Sequence, residues 1–342
     1  MKRTPLALSL AALLIGGAGY GAYWHYVAGQ LDAGIADWAA QQRTLGHEIA
    51  FESDPISGFP LAFRTEFRAV SLIWHLPAGD VSVVGERLHA VMRPWNLQAI
   101  EITSDQTVTA TLDDGSGRQQ QARLGQGTAD LALHATGQMR SLSLAAAGVG
   151  LETVHGGYEA ETLNAKIDLP AEMPADYHQP LVGFDLALSA LRLPAGQRAL
   201  TSGPIESAAA TGAVMGPVPF ATSPHEALSG WARAGGIVEL KSFTFAQAPL
   251  TLAGAGTLTL DEALQPLGAL TIHAQGLGET IVLLERDGMI DAQSAKTAGM
   301  MAKGLAKPDE AGHQVVSVSL SLQQGYLWLG PVKLASLPVL GW

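Results

Sequence analysis

Apolar and polar residues alternate along the segment that begins at Phe59. Arg64, Glu66 and Arg68 fall on one side of this alternation. The residues on the other side are Phe59, Leu61, Phe63, Thr65, Phe67 and Ala69. A period of two is typical of a strand with one covered face and is incompatible with a helix. The segment therefore predicts a sheet whose apolar face must be covered by something.

Similar short segments recur along the chain, each bounded by Gly, Pro, Asp or Ser. This spacing is typical of proteins made mainly of β-structure. In the first part of the chain the predicted strands are 47–52, 59–69, 81–84, 88–92, 99–103, 106–113, 129–136, 139–145, 148–154, 162–169 and 184–193. In the second part they are 237–245, 250–260, 268–274, 315–322 and 326–334.

Helices are predicted only in the second part and at the N-terminus. Ser223 followed by Pro224 is a helix start, and Gly235 with Gly236 ends that helix. Two more helices are predicted over 278–287 and 292–307. The fold class is therefore mainly β with a few helices, with a large antiparallel curved sheet. The pattern leaves open whether the sheet forms a sandwich, a barrel or an open groove.

Three prolines within residues 170–180 predict an extended connector. We place a boundary there, between a first β-rich half, 46–172, and a second β-rich half with helices, 181–342. The same pattern also allows one continuous domain.

The N-terminus is basic and then apolar. Lys2 and Arg3 precede a segment from Leu6 to Tyr26 that is almost wholly apolar, and no acidic residue occurs before Asp32. As a helix this segment would extend about 31 Å, close to the thickness of a bilayer core. Residues 1–27 therefore predict a single-pass anchor in a bacterial inner membrane, with the bulk of the chain in the periplasm. A cleaved signal peptide is the alternative.

A second helical stripe follows the apolar segment. Val27, Leu31, Ile35 and Trp38 are spaced by four, four and three residues. Residues 28–45 thus predict a stalk helix that packs on the sheet. A helix that binds a partner is the alternative.

Several kinds of chemistry are excluded or unsupported by the sequence. Cysteine is absent, which excludes disulfides, thiol nucleophiles and cysteine–metal sites. The net charge of −11 argues against a nucleic-acid partner. His225-Glu226 begins like a zinc-protease helix, but Ser229 stands where the second histidine is needed. We expect no catalytic residue, metal or cofactor, and no enzyme activity.

Several phrases together resemble one protein family. They are GFPLAFR (58–64), RPWN (93–96), WARAGG (231–236), GAGTLTLD (254–261) with PLG (266–268), LGPV (329–332) and LP (337–338). In this order they resemble the uncharacterised bacterial domain-of-unknown-function family 2125, over nearly the whole chain. The resemblance implies an exported, inner-membrane-associated protein and carries no activity with it. The succession of strands interrupted by glycines is also similar, though less closely, to the β-sheet grooves of AsmA-type lipid-transfer proteins.

These observations predict an uncharacterised, membrane-anchored, non-catalytic module that binds lipid or another amphiphile. Acyl chains would cover the apolar face of the sheet. The candidate lining residues are Phe59, Phe63, Phe67, Leu186, Leu188, Leu258 and Leu260. For each of them an ordinary core position is the alternative. The alternative function is a structural or scaffolding protein of the cell envelope that binds a protein partner, and the oligomeric state is open.

Overall fold

The computed structural model describes residues 4–76, 79–113, 119–154, 156–194, 203–219, 223–308, 312, 314–329 and 332–336. The helices are α1 (Thr4–Thr44), α2 (Pro224–Arg233), α3 (Leu277–Arg286) and α4 (Ala292–Leu305). The first strands are β1 (Glu48–Ser53), β2 (Phe63–Leu76), β3 (Gly79–Arg93), β4 (Asn96–Ser104), β5 (Val108–Asp113), β6 (Gln119–Leu133), β7 (Met139–Thr153), β8 (Gly156–Asp168) and β9 (Pro180–Leu191). The remaining strands are β10 (Ile205–Met215), β11 (Ile237–Gln247), β12 (Leu250–Leu260), β13 (Pro266–Gln275), β14 (Ala306–Pro308), β15 (Gln314–Gln323), β16 (Tyr326–Leu329) and β17 (Val332–Ser336).

The strands form one antiparallel sheet that follows the chain. Most strands pair with the next strand in sequence, from β1–β2 through β6–β13 and from β14 to β17. The pattern is modified at two places. β4 and β5 lie end to end between β3 and β6, and β13 pairs directly with β15. The prediction of a mainly β fold with a large antiparallel sheet is confirmed.

The sheet continues across the proline-rich connector. β8 and β9 lie on either side of it and pair from Thr162–Ser189 to Asp168–Gly183. The two halves of the chain therefore share one hydrogen-bonded sheet.

One central strand was not predicted from the sequence. β10 reads IESAAATGAVM, yet it pairs along its length with both β9 and β11. Alanine and glycine disfavour strands and give no period-two contrast. The neighbouring strands supply the pairing that the local sequence does not indicate.

The N-terminal helix is longer than either segment predicted for it. Residues 4–44 form one continuous helix, which joins the predicted anchor to the predicted stalk. Across the described part of the chain, no helix is both long and apolar enough to cross a membrane. Lys2 and Arg3, together with Gly330, Pro331, Leu337 and Pro338 of the resembling phrases, lie outside the described residues.

Two packed clusters lie near opposite ends of the sheet. One cluster joins Trp24 and Ala28 of α1 to Phe63 of β2. The other joins α3 and α4 to Val316 of β15. The accessible surface is 20605 Å², whereas a compact monomer of this mass exposes about 13,000 Å². The chain therefore exposes more surface than a compact monomer of the same mass.

Candidate functional site: the apolar face of the sheet

A row of apolar residues crosses the sheet at right angles to the strands. Each residue in it is the registered partner of the next, so all point to one face. The row runs Phe63, Met92, Ile100, Leu131, Leu142, Ile167, Phe184, Gly212, Leu240, Gly256, Leu270, Leu320 and Leu329. From β2 to β15 it crosses a width of about 50 Å at the usual strand spacing.

A second row lies two residues further along the strands on the same face. It begins at Thr65, and every later member is apolar. The members are Thr65, Ala90, Ile102, Ala129, Leu144, Ala165, Leu186, Ala210, Phe243, Gly254, Ile272 and Val318. The two rows together form a continuous apolar surface, which we call the apolar face.

The opposite face is polar at the same level of the sheet. Glu101 faces Asp130, and Lys166 faces Asp185. The ion pairs of β2 and β3 also lie on this side, with Arg87 Nε 3.1 Å from Glu66 Oε1. Asn164, Lys166 and Asp168 are exposed while their neighbours on the apolar face are half-buried. This contrast indicates which face of the sheet is directed toward water, because the polar side chains are compatible with water and the apolar side chains favour a covered face.

Helices cover both ends of the apolar face, and α2 contacts β12 with its Trp231 3% exposed. At the β2 end, the indole of Trp24 stacks on Phe63 with ring centroids 5.1 Å apart. At the β15 end, Ile281, Ala295 and Ala302 pack on Val316. Between these ends the side chains of the apolar face on β4 and β6 to β9 are mostly half-buried, and Leu186 is 42% exposed.

The predicted lining residues do not all occupy equivalent places. Leu186, Leu188, Leu258 and Leu260 lie on the apolar face together with Phe67. Phe63 shares this face but is 2% exposed beneath Trp24, so it belongs to the core.

Phe59 lies outside the strand that was predicted to contain it. β2 begins at Phe63, because Leu61 and Ala62 donate backbone hydrogen bonds to the Gly58 carbonyl and close a turn. Gly58 has a φ of 99°, which favours glycine. The Phe59 ring stacks on His25 of α1 at 5.9 Å instead of facing the sheet.

A family pattern agrees with the resemblance inferred from the sequence. A sequence model of a bacterial family, described as "Uncharacterized protein conserved in bacteria (DUF2125)", matches residues 24–338. The chain belongs to this family. No curated protein and no solved structure matches it. Two of the phrases that carried the resemblance, 58–64 and 93–96, meet in this DUF2125 member at the docking site of α1.

Two aromatic residues of the apolar face in this DUF2125 member were missed as candidates. A Cβ on Gly212 would lie 2.8 Å from Phe184 Cζ, and a Cβ on Gly254 would lie 2.8 Å from Phe243 Cε1. Each ring thus lies across a glycine of the neighbouring strand and closes the gap that the glycine leaves. The pairing register is the signal that identifies them, and it is not readable from one strand alone.

A second concave site lies beside α3 and α4. This cleft has a volume of about 1360 Å³ and includes Glu285, Lys296, Met300 and Lys303 in its lining.

The N-cap Asp291 of α4 accepts hydrogen bonds from Ser294, which lower the pKa of its carboxyl group. Within the described residues, no group of three or more His, Asp or Glu side chains is placed to hold a metal ion.

Proposed function

We propose that this protein is a membrane-anchored, non-catalytic module that binds the acyl chains of lipid, or of another amphiphile, along the apolar face. The observation that carries the proposal is the pair of registered apolar rows left half-exposed between α1 and the α3–α4 hairpin. Burial of such a surface by acyl chains is favourable by about 25 cal/mol per Å² of apolar area.

The proposed anchor is α1, in a bacterial inner membrane with the sheet on the periplasmic side. Its support comes from the sequence: no Asp, Glu, Lys or Arg stands between Arg3 and Asp32. An anchor would hold the apolar face beside a source of lipid.

The test is photocrosslinking of the full chain in cells. A photoreactive amino acid is placed at Leu186, on the apolar face, or at Ala187, on the opposite face of the same strand. We expect lipid adducts from position 186 and few from position 187, measured by mass spectrometry of the purified protein. Protein adducts at position 186 without lipid would instead favour the envelope scaffold.

A substitution tests whether the face is a binding surface or a core. With the photoreactive group at Leu144, Leu186→Glu should reduce lipid adducts several-fold, because Leu186 lies two strands away in the same row. Ala187→Glu is the matched control. Leu186 is already 42% exposed, so the glutamate should leave the melting temperature nearly unchanged. Unfolding by Leu186→Glu would mean that the face is an ordinary core.

A further inference from the structure

The tip of the sheet beside α1 carries exposed aromatic and aliphatic side chains. Phe59 is 52% exposed and Leu61 is 62% exposed in the turn before β2, and Trp95 is 69% exposed in the turn between β3 and β4. The two turns are adjacent, because Phe63 and Met92 are paired where β2 begins and β3 ends. We call residues 58–62 and 94–96 the apolar tip.

The apolar tip is held firmly to α1 by three hydrogen bonds. Tyr20 Oη donates to the Pro60 carbonyl, Tyr23 Oη donates to the Pro94 carbonyl at 2.9 Å, and Trp24 Nε1 donates to the Ala62 carbonyl at 3.2 Å. Both turns are therefore fixed relative to the helix. Immediately before these contacts, α1 projects beyond the sheet, since residues 15–19 are exposed and Ile15 is 74% exposed.

The charged residues within the two turns and directly beside them have one sign. Arg64 and Arg93 flank the two turns, and both are exposed. Neither guanidinium forms an ion pair with the residues that the structure describes. No Asp or Glu occurs in 55–65 or 92–100, although the whole chain has a net charge of −11. A local excess of positive charge beside exposed aromatic groups is complementary to an anionic lipid surface.

We propose that the apolar tip is a second membrane contact, seated in the headgroup layer of the same bilayer that α1 enters. Phe59, Leu61 and Trp95 reach the boundary between headgroups and acyl chains, and Arg64 and Arg93 meet lipid phosphates. The proposal rests on the proposed anchor, because α1 brings the tip to the bilayer. It adds that the sheet stands on the membrane at a fixed position and does not swing from a flexible tether.

The absence of cysteine allows a direct test, since a single introduced thiol is unique. Leu61→Cys, Trp95→Cys and Leu76→Cys are each spin-labelled in the full chain. The chain is reconstituted in vesicles of phosphatidylcholine and phosphatidylglycerol in equal parts. Leu76 is the matched control, because it is 48% exposed and ends the strand that begins beside Leu61. The measured quantity is the collision rate of each label with oxygen and with a water-soluble nickel chelate.

We expect the labels at 61 and 95 to favour oxygen over the nickel chelate several-fold more than the label at 76. Arg64→Gln with Arg93→Gln should shift the labels toward water in these vesicles and have little effect in phosphatidylcholine alone. Labels at 61 and 95 that collide with the chelate as often as the label at 76 would overturn the proposal. Protection from both reagents would also overturn it, because a protein surface would then cover the tip.

Failure here is distinguishable from failure of the proposed function. Lipid adducts at Leu186 with water-exposed labels at 61 and 95 would leave the lipid-binding face standing and remove the seated tip. Labels at 61 and 95 that are buried in the bilayer, without lipid adducts at Leu186, would support the membrane contact of the tip and contradict lipid binding along the apolar face.

Discussion

Gly212 shows how a single residue shapes the apolar face. A Cβ there would collide with the carbonyl oxygen of Glu239 and lie 2.8 Å from Phe184 Cζ. The glycine therefore permits two strands and an aromatic ring to approach closely, which is a recognised use of glycine within sheets. The Phe184 ring of β9 therefore fills the space that Gly212 of β10 leaves on the apolar face.

Gly212→Ala should lower the free energy of unfolding by about 1–3 kcal/mol, because the added methyl group displaces backbone and ring together. Gly299→Ala is the matched control, since nothing lies within 4 Å of a Cβ at that position in α4. It should raise the stability by up to about 1 kcal/mol. Urea unfolding of both variants measures the difference. Equal effects of the two substitutions would contradict the close approach at Gly212.

At the scale of elements, local signals predicted some features well and others not at all. Ser223 was predicted to start a helix, and its hydroxyl accepts a hydrogen bond from the Glu226 amide at the N-cap of α2. β10 was missed because its pairing is set by β9 and β11. Trp24 lies within the predicted anchor, residues 1–27, yet it is 3% exposed against the sheet. A contact with a distant strand is not visible in the helix's own sequence.

Trp24→Ala should separate α1 from the sheet, because it removes the ring that covers Phe63. Loss of a buried aromatic side chain of this size typically lowers stability by about 3–5 kcal/mol. Tyr26→Ala, at a position that is 67% exposed two residues along α1, should have little effect. Thermal unfolding of the full chain in lipid nanodiscs compares the two. A Trp24 variant as stable as the Tyr26 variant would argue that α1 does not pack there.

The α4 helix should depend on pH through its N-cap. Hydrogen bonds from Ser294 lower the pKa of Asp291 below its ordinary value of 3.8. The ionised carboxylate therefore stabilises α4 above about pH 4, and the contribution is lost as the pH falls through the lowered pKa. Circular dichroism between pH 6 and pH 2 should show loss of helix at the acid end. Asp291→Asn keeps a capping side chain without the charge, so its acid transition should be smaller.

At the scale of the whole molecule, the registered rows are the feature that a single sequence could not provide. Each strand shows its own alternation, and β2 and β8 were predicted on that basis. Among the strands that the structure describes, which residues face each other depends on the turns and on irregular positions such as Ala69, where φ is 49°. The apolar residues of β2 are odd-numbered before Ala69 and include Val70, Leu72 and Trp74 after it. A shift of one residue at such a point reverses a prediction of facing.

The shared sheet predicts that a cut in the connector leaves one particle. A protease site inserted after Met173, which is 68% exposed, is cleaved in the folded full chain. Because β8 and β9 remain paired from Thr162 to Asp168, the two fragments should elute together on size exclusion in mild detergent. They should separate only after denaturant is added. Fragments that part without denaturant would show that the two halves are independent domains.

The turn residue Trp95 lies only three residues from Met92, the first half-buried member of the apolar row beyond the covered Phe63. At about 3.4 Å per residue, that separation is about 10 Å. With the tip seated as proposed, an acyl chain that leaves the leaflet meets an apolar surface before it meets bulk water. Exposure of a chain to water costs about 0.8 kcal/mol for each methylene group. For a dozen methylenes that is about 10 kcal/mol, so closing this gap would speed lipid extraction by many orders of magnitude without any chemical step or energy source.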